Sequence, residues 1–200
     1  VADAEPPLIL LQGDIEVTAE AGLTWEDPWV LAFDRLDGQI TEKVTRTGDA
    51  GAARPGTYEL VYRVSDASGN ETTATRTLVV VDRTAPVISM RGDAQTLAQA
   101  GFPYNDLGAE ANDLADGNLT EAIETTVDLD LSQEGVGTVT FMVTDAAGNV
   151  GTAERRITVI DSLPPQLELI GETPVVHEAG APYVDAGARR MDEADGNGTV

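Results

Sequence analysis

A long internal repeat is the feature that most constrains what this chain can fold into. The segment VSDASGNETTATRTLVVVD at residues 64–82 returns as VTDAAGNVGTAERRITVID at residues 143–161, so equivalent positions lie 79 residues apart. Self-similarity at a fixed spacing is typical of chains built from similar structural units in series. The same step divides the sequence into residues 1–82, 83–161 and 162–200. We therefore expect two complete modules followed by the first half of a third, truncated module.

The repeated segment and the residues just before it predict a β-hairpin. From Tyr58 to Ser65, apolar and polar side chains alternate, which is the period of a strand that buries one face. The D-A-x-G-N motif that follows supplies Gly and Asn, which accept the backbone conformations of a tight turn. The side chains expected to face the core are Tyr58, Leu60, Tyr62 and Val64 in the first copy and Val139, Phe141 and Val143 in the second.

The remainder of each repeat also has the pattern of short strands separated by turns. Several short strands with frequent turn signals favour a sandwich, and no stretch has a convincing helical period. We expect an all-β fold of tandem β-sandwiches with about 79 residues per repeat. The strands expected in the first repeat are residues 8–11 and 15–18 (one kinked strand), 29–33, 42–47, 58–65 and 71–81.

The charge of the chain excludes some classes of partner. It has 35 acidic and 12 basic side chains, a formal net charge of −23. A surface this acidic repels nucleic acid and anionic membranes, so neither is expected as a partner. The sequence given also has no apolar run long enough to insert into a membrane. The same charge favours solubility, the binding of divalent cations or a saline setting; a solvated surface without a specific ligand is the alternative.

Four motifs carry a family resemblance: PPLILLQGD, AFDRLDGQIT, RPGTYELVYRVSDASGN and TRTLVVVD. They resemble bacterial immunoglobulin-like repeats, those named for a domain of a pesticidal crystal protein, and are similar to hyalin-type repeats. The resemblance implies immunoglobulin-like β-sandwiches in tandem on a large secreted or cell-surface bacterial protein. It also implies an extracellular location, with neighbouring modules of the same chain and a cell-surface glycan or protein as partners. Such a resemblance indicates fold better than function.

A recurrent D-x-x-D-G loop predicts a cation site. If the strands of a sandwich alternate in direction, this loop and the hairpin turn lie at the same end of their module. In the second repeat, Asp113, Asp116, Asp145 and Asn149 should therefore cluster beside Asp82, in the connector. Carboxylate and carbonyl oxygens are the ligands that Ca²⁺ takes, six to eight at a time. Turn formation is the alternative, because aspartate side chains also accept hydrogen bonds from nearby backbone amides.

Trp29 is the second candidate site, for a carbohydrate ligand. Its counterparts in the later repeats are Gly108 and Gly187, so the indole replaces a residue without a side chain. An exposed aromatic ring can stack on a sugar, and it can equally be a packing variation or a contact with another module. Arg76 and Arg155 also recur, with the parity of core residues; a strand bulge and a pairing with a repeated aspartate both remain open.

The sequence offers little material for catalysis. His177 is the only histidine, Ser162 is the nearest serine and cysteine is absent, so a nucleophile system of the Ser/His or Cys/His type is not expected. The aspartate pairs recur in every repeat, which indicates architecture rather than acid–base chemistry. We expect a non-enzymatic spacer or adhesive array stiffened by Ca²⁺; the alternative is a carbohydrate-binding accessory module of an extracellular enzyme or adhesin.

Overall fold

The computed structural model describes residues 3–49 and 51–199, and β-strands account for nearly all of its regular structure. The first repeat also has one short 3-10 turn, at Thr41–Lys43. Its strands are β1 (Leu8–Leu11), β2 (Glu16–Glu20), β3 (Val30–Asp34), β4 (Gly38–Gln39), β5 (Thr45–Thr47), β6 (Gly56–Ser65) and β7 (Glu71–Val81).

The second repeat has the same succession of elements, including a 3-10 turn at Thr120–Ala122. Its strands are β8 (Val87–Met90), β9 (Gln95–Gln99), β10 (Ala109–Asp113), β11 (Gly117–Asn118), β12 (Glu124–Asp128), β13 (Gly135–Thr144) and β14 (Val150–Ile160). The remaining strands are β15 (Gln166–Leu169), β16 (Ala188–Met191) and β17 (Gly198–Thr199), which form a sheet in the order β15–β16–β17.

The first repeat folds into two sheets that face each other. One has the order β1–β3–β4 and the other β2–β7–β6–β5. The chain changes sheets between β1, which is antiparallel to β3, and β2, which is parallel to β7. This change of sheet explains the kink expected in the first strand. The second repeat has the equivalent sheets, β8–β10–β11 and β12–β13–β14–β9. The predicted all-β architecture of tandem sandwiches is confirmed.

The core of the first sandwich lies between its two sheets. The long strand β6 alternates as expected, with Leu60, Tyr62 and Val64 buried and Tyr58 half-buried. Burying alternate apolar side chains is what stabilises a sheet that is solvated on its other face. The residues packed against β6 in this cluster come from the facing sheet β1–β3–β4 and from the loops: Ile9, Val30, Ala32, Ile40 and Val44. The equivalent positions of the second repeat, Val139, Phe141 and Val143, are also buried.

Four of the expected strands differ in their bounds from the structure, where residues 15–18 correspond to Glu16–Glu20 and residues 58–65 to Gly56–Ser65. The other two begin later than expected. The strand expected at residues 42–47 begins only at Thr45, because Thr41–Lys43 forms a 3-10 turn in which the Val44 amide bonds the Thr41 carbonyl. The strand expected from residue 29 begins at Val30, because Trp29 has a φ of 68°, outside the extended region. By contrast, the bounds expected for β1 and β7 match the structure.

The compact unit that contains the first sandwich also includes two loops of the second repeat, Asn112–Leu119 and Thr144–Val150. The other compact unit comprises Val87–Ala111, Thr120–Val143 and the chain from Gly151 onward. The boundaries 1–82, 83–161 and 162–200 stay predictions. Within residues 3–49 and 51–199, no helix has the length and apolar character needed to cross a membrane.

Candidate metal site

Three aspartates of the first compact unit form the candidate site. Asp82 follows β7, Asp113 ends β10 and Asp145 follows β13. One carboxylate oxygen from each of the three lies within 4.8 Å of the others. Three of the five predicted metal ligands are therefore brought together by segments far apart in the sequence.

Local turns hold the carboxylates of Asp113 and Asp82 by one oxygen each. Asp113 Oδ1 accepts hydrogen bonds from the amides of Ala115, at 2.7 Å, and Asp116, at 3.0 Å. Asp82 Oδ1 accepts from the amide of Thr84 at 3.2 Å and from its hydroxyl at 3.1 Å. These are the aspartate turns that the sequence favours, and they fix where the remaining oxygens lie.

Asp145 is held by Asn149 across the hairpin turn. The Asn149 amide donates to Asp145 Oδ1 at 2.7 Å, and its side-chain Nδ2 donates to Oδ2 at 2.8 Å. Burial acts to raise the pKa of Asp145, but these hydrogen bonds outweigh it and the pKa lies below its ordinary value of 3.8. The side chain is therefore a carboxylate at neutral pH. Asn149 Nδ2 also lies 3.4 Å from the Asp82 carbonyl, which links the turn to the connector.

The second oxygen of Asp113 has no such partner. Asp113 is only 9% exposed, and its Oδ2 accepts no hydrogen bond from any residue that the structure describes. A buried oxygen without a partner costs free energy, about 1–3 kcal/mol for a neutral group and more for a charged one. This oxygen belongs to one of the three clustered carboxylates, so the cluster contains a buried acceptor that the described residues leave without a donor.

The other two predicted ligands, Asp116 and Asn149, make hydrogen bonds that hold the segments of the site together. Asp116 is not one of the three clustered carboxylates; its Oδ2 accepts the Ala146 amide at 2.7 Å, which joins the Asp113 loop to the Asp145 turn. Asn149 offers its side-chain nitrogen to the site and orients Asp145. The assignment of all five residues as metal ligands stays a prediction.

Two related clusters were not predicted as metal sites from the sequence. The groups Asp3, Asp34, Asp66 and Asp161, Asp192, Asp195 have the same close approach of carboxylate oxygens. Asp3 and Asp161 are separated from Asp82 by one repeat length in either direction. That spacing was the available signal, since each repeat position recurs with its local turn.

The repeated arginines pair with repeated aspartates, which decides between the two alternatives. Arg76 is fully buried, and its Nη1 lies 2.6 Å from Asp27 Oδ1. In the second repeat, Arg155 Nη1 lies 2.5 Å from Asp106 Oδ2. Each guanidinium also donates to two main-chain carbonyls, those of Gln12 and Asp14 in the case of Arg76. Such pairing and hydrogen bonding is what a buried charge requires.

Trp29 lies beside the first of these ion pairs and bonds its aspartate. The Trp29 amide donates to Asp27 Oδ1 at 2.9 Å in the same turn that Gly108 makes with Asp106, so both residues have positive φ. The indole is edge-on to Tyr62, at 5.8 Å between ring centroids, and Arg46 lies over its face. The Asp27 side chain is 6% exposed, against 17% for Asp106 beside its glycine. Trp29 itself remains 36% exposed.

Curated relatives cover most of this chain. Hyalin of Strongylocentrotus purpuratus is 31% identical over 82% of the chain, which corresponds to 15% of hyalin. An uncharacterized 81.3 kDa protein of Acholeplasma phage L2 is 27% identical over 86% of the chain and 24% of the relative. The chain thus spans a quarter or less of the length of these two proteins.

Solved structures are similar only in part. One is the M60 catalytic domain with the CBM51-1 and CBM51-2 domains from Clostridium perfringens ZmpB, with a TM-score of 0.46 and 14% identity over 84% of this chain and 33% of that one. Another is human protocadherin-24 EC1-2, with a TM-score of 0.34 and 12% identity over 79% of this chain and 100% of that one.

The sequence comparison with protein families gives two matches in tandem. The family described as bacterial surface protein, Ig-like domain, matches residues 9–80 and again residues 88–159. The matches follow the two sandwiches and together cover more than half of the chain. This chain therefore belongs to the family of bacterial surface protein Ig-like domains.

Proposed function

We propose that this chain is a non-enzymatic spacer and adhesive array of a large secreted or cell-surface bacterial protein. In this proposal Ca²⁺ binds to Asp82, Asp113 and Asp145 and stiffens the compact unit that contains them. The partners are the neighbouring modules of the same chain and a glycan or protein on a cell surface. Family membership supports the surface role of the modules.

The single observation that carries the metal site is the buried, unpartnered Oδ2 of Asp113. Turn formation accounts for Oδ1, which accepts two backbone amides, but leaves Oδ2 without a function. Three carboxylate oxygens within 4.8 Å repel one another when all are ionised. A cation at their centre offsets this repulsion and satisfies the unpartnered oxygen.

The chemistry of the donors favours Ca²⁺ over other metals. The clustered groups are carboxylates, and hard oxygen donors suit Ca²⁺, Mg²⁺ and Mn²⁺ rather than metals that prefer thiolate or imidazole. Ca²⁺ accepts irregular arrangements of protein oxygens, whereas Mg²⁺ demands near-octahedral geometry and keeps several waters. Donors from three separate segments fit the more permissive ion.

Stiffening follows from the origin of the ligands. The connector supplies Asp82, the Asn112–Leu119 loop supplies Asp113 and the Thr144–Val150 turn supplies Asp145. One ion bound to all three removes the freedom of these segments to move apart. Because the ion binds the folded state alone, it must also raise thermal stability by mass action.

The test is thermal unfolding of the chain in millimolar Ca²⁺, in Mg²⁺ and in excess chelator. We expect a rise in Tm of about 5 °C or more in Ca²⁺, from the linkage of binding to folding and the usual relation of Tm to stability in small domains. Asp113→Asn should abolish the rise, whereas Asp128→Asn, in the exposed strand β12, should preserve it with the same change in charge.

The chelator condition separates the metal role of Asp113 from its turn role. Asparagine keeps an oxygen for the two backbone amides while removing the charge, so Asp113→Asn should be at least as stable as the wild type without Ca²⁺. An equal loss of stability in both conditions would leave Asp113 as a turn residue and refute the metal site. Coincident wild-type curves with and without Ca²⁺ would refute it as well.

A carbohydrate-binding accessory module is the second candidate. The observation in its favour is that Trp29 keeps a positive φ where the later repeats have glycine, and leaves 36% of its surface exposed. A bulky residue in this conformation is strained, and strained residues concentrate at functional sites. Retention on polysaccharide gels, lost in Trp29→Ala, is the test of this candidate.

A further inference from the structure

Gly22 makes an unusually close backbone contact with the loop that carries Asp113. It has a φ of +75°, and a Cβ atom at this position would lie 2.4 Å from the Leu114 carbonyl oxygen and 2.6 Å from its carbon. Backbone atoms cannot give way as a flexible side chain can. The absence of a side chain at residue 22 is therefore what lets the loop approach.

The next residue of the loop fills an apolar socket beside Gly22. Ala115 packs against the cluster that we call the socket, formed by Ala21, Ala52, Leu78 and Val80. Each of these four residues is at most 3% exposed. Two backbone hydrogen bonds hold the Ala21–Gly22 segment in place. The Ala21 amide donates to the Val81 carbonyl, and the Gly22 amide donates to the Ala52 carbonyl. All of these residues belong to the same compact unit.

The residues that enter the socket are held directly by the candidate metal ligand. Asp113 precedes Leu114 and Ala115, and its Oδ1 accepts the Ala115 amide at 2.7 Å. Any displacement of Ala115 from the socket thus moves the carboxylate whose other oxygen is unpartnered. The Asp113 carboxylate and the loop that carries Ala115 therefore move together.

We propose that Ca²⁺ binding and the seating of Leu114 and Ala115 on Gly22 and the socket are one coupled event. This inference rests on the proposed function, because it describes how the same metal site is regulated. The close approach of three carboxylates opposes the seating of the Asp113 loop, and a bound ion offsets that repulsion. Because coupling is reciprocal, the factor by which Ca²⁺ favours the seated loop is also the factor by which the seated loop strengthens Ca²⁺ binding. Damage to the socket must therefore weaken Ca²⁺ binding.

The second compact unit repeats this contact. A Cβ at Gly101 would lie 2.6 Å from the Glu193 carbonyl oxygen, and Ala194 packs against the core cluster there. These residues are the counterparts of Gly22, Leu114 and Ala115, one repeat length on. The residue that contacts the glycine is leucine in one unit and glutamate in the other, because its backbone makes the contact. The residue that packs against the core cluster is alanine in both.

The test compares two glycine substitutions in the chain, Gly22→Ala and Gly38→Ala. Both glycines have a φ of +75°, so alanine imposes the same backbone strain, but a Cβ at Gly38 meets no atom within 4 Å. The relevant Ca²⁺ binding step in calorimetric titration is the one that Asp113→Asn abolishes. Gly22→Ala should raise the Kd of this step by roughly fivefold or more. Gly38→Ala should leave the Kd of that step unchanged.

Hydrogen exchange of the wild type provides a measurement that does not depend on a variant folding. Saturating Ca²⁺ should slow amide exchange in a peptide covering residues 20–24, which supply no predicted ligand, as well as in one covering residues 112–119. Slowing confined to residues 112–119 would overturn the coupling, as would an unchanged Kd in a folded Gly22→Ala variant. Absence of Ca²⁺ binding by the wild type would instead refute the proposed function itself.

Discussion

The guanidinium of Arg76 lies 2.6 Å from the carboxylate of Asp27, and the two charged groups are buried together inside the first sandwich. The arginine is on β7 and the aspartate lies just before β3, so the pair joins strands of opposite sheets. Arg155 and Asp106 repeat this relationship in the second sandwich. The chain thus uses a buried ion pair at the same point of each complete repeat.

A tyrosine hydroxyl completes each pair, but it comes from a strand in the first repeat and from a loop in the second. In the first repeat Tyr62, on β6, donates to Asp27 at 2.7 Å. In the second repeat the donor is Tyr104, two residues before Asp106, at 3.0 Å. The position equivalent to Tyr62 is Phe141, and Tyr104 replaces a tryptophan. Each site therefore keeps one hydroxyl for its carboxylate, although the position that supplies it has changed.

Removing the arginine should be severely destabilising. Arg76→Ala leaves the buried Asp27 with Arg46, 2.8 Å away, as its remaining ion-pair partner. Removing the fully buried member of the pair in this way costs about 3–5 kcal/mol. Both tryptophans of the chain, Trp25 and Trp29, are in the first repeat, so urea unfolding followed by indole fluorescence reports that repeat. Arg155→Ala is the matched control and should shift this transition less. Equal shifts for the two variants would contradict the prediction.

Removing only the hydroxyl should have a smaller effect. Tyr62→Phe installs the residue of the second repeat and deletes two hydrogen bonds, the one donated to Asp27 and a longer one accepted from Arg76, so it should cost about 1–2 kcal/mol. Burial and the neighbouring Asp27 raise the pKa of Tyr62 from 10.0 to about 12. The fold therefore favours the neutral phenol, and this contribution is complete below pH 10 and is lost as the pH rises through 12. Ultraviolet titration should lack the late ionisation step in the variant.

Acid should unfold the chain through its lowered aspartate pKa values. In Asp27, burial opposes the shift, but hydrogen bonds from Tyr62 and Arg46 outweigh it and the pKa lies below 3.8. A group with a depressed native pKa stabilises the fold above its unfolded pKa and loses that effect as the pH falls through the native pKa. The pKa is likewise lowered in Asp34, Asp66, Asp106, Asp130 and Asp145.

We therefore expect the free energy of unfolding to hold or rise from pH 7 to pH 5, where partial protonation reduces self-repulsion at a net charge of −23. Below about pH 4 it should fall steeply, since the unfolded chain takes up protons first. Urea titrations at half-unit pH intervals measure this profile. Stability that increased from pH 4 to pH 2.5 would contradict the assignment of the lowered pKa values.

The strain at Trp29 can be measured with two substitutions. Trp29→Ala and Trp29→Gly remove the same contacts with Tyr62 and Arg46, but only glycine accepts a φ of 68° without cost. Because the left-handed conformation costs other residues about 1–2 kcal/mol, the glycine variant should be more stable than the alanine variant by about 1 kcal/mol. Gly108→Ala, the converse change in the second repeat, should destabilise by a similar amount.

The carbohydrate hypothesis makes a separate prediction at the same position. If Trp29 is a stacking platform, polysaccharide gels should retard the chain and the Trp29→Ala variant should migrate freely. Phe33→Ala is a control, since Phe33 is an aromatic residue of the same repeat with 39% exposure. Equal retardation of the wild type and both variants would remove Trp29 as a ligand site.

The sequence by itself determined the repeat, the fold class and the hairpin strands, because the spacing of the repeat and the alternation of side chains are local properties of the chain. Its aspartate pattern also indicated that Asp82, Asp113 and Asp145 would meet. The partners of individual atoms were decided only by tertiary structure. No local pattern distinguishes Asp113 Oδ2, left without a donor, from Asp116 Oδ2, which accepts the Ala146 amide.

The remaining features depend on distances across the core. The packing of segments distant in sequence determined that Arg76 pairs with Asp27 instead of lying at a bulge. It also determined which tyrosine supplies a hydroxyl and how closely Leu114 approaches Gly22. A periodic pattern tells which face a side chain occupies, whereas the partner on the opposite face is selected by the way the two sheets pack together. For that reason the buried face of each strand could be predicted from the sequence, whereas the partner of each side chain could be identified only from the fold.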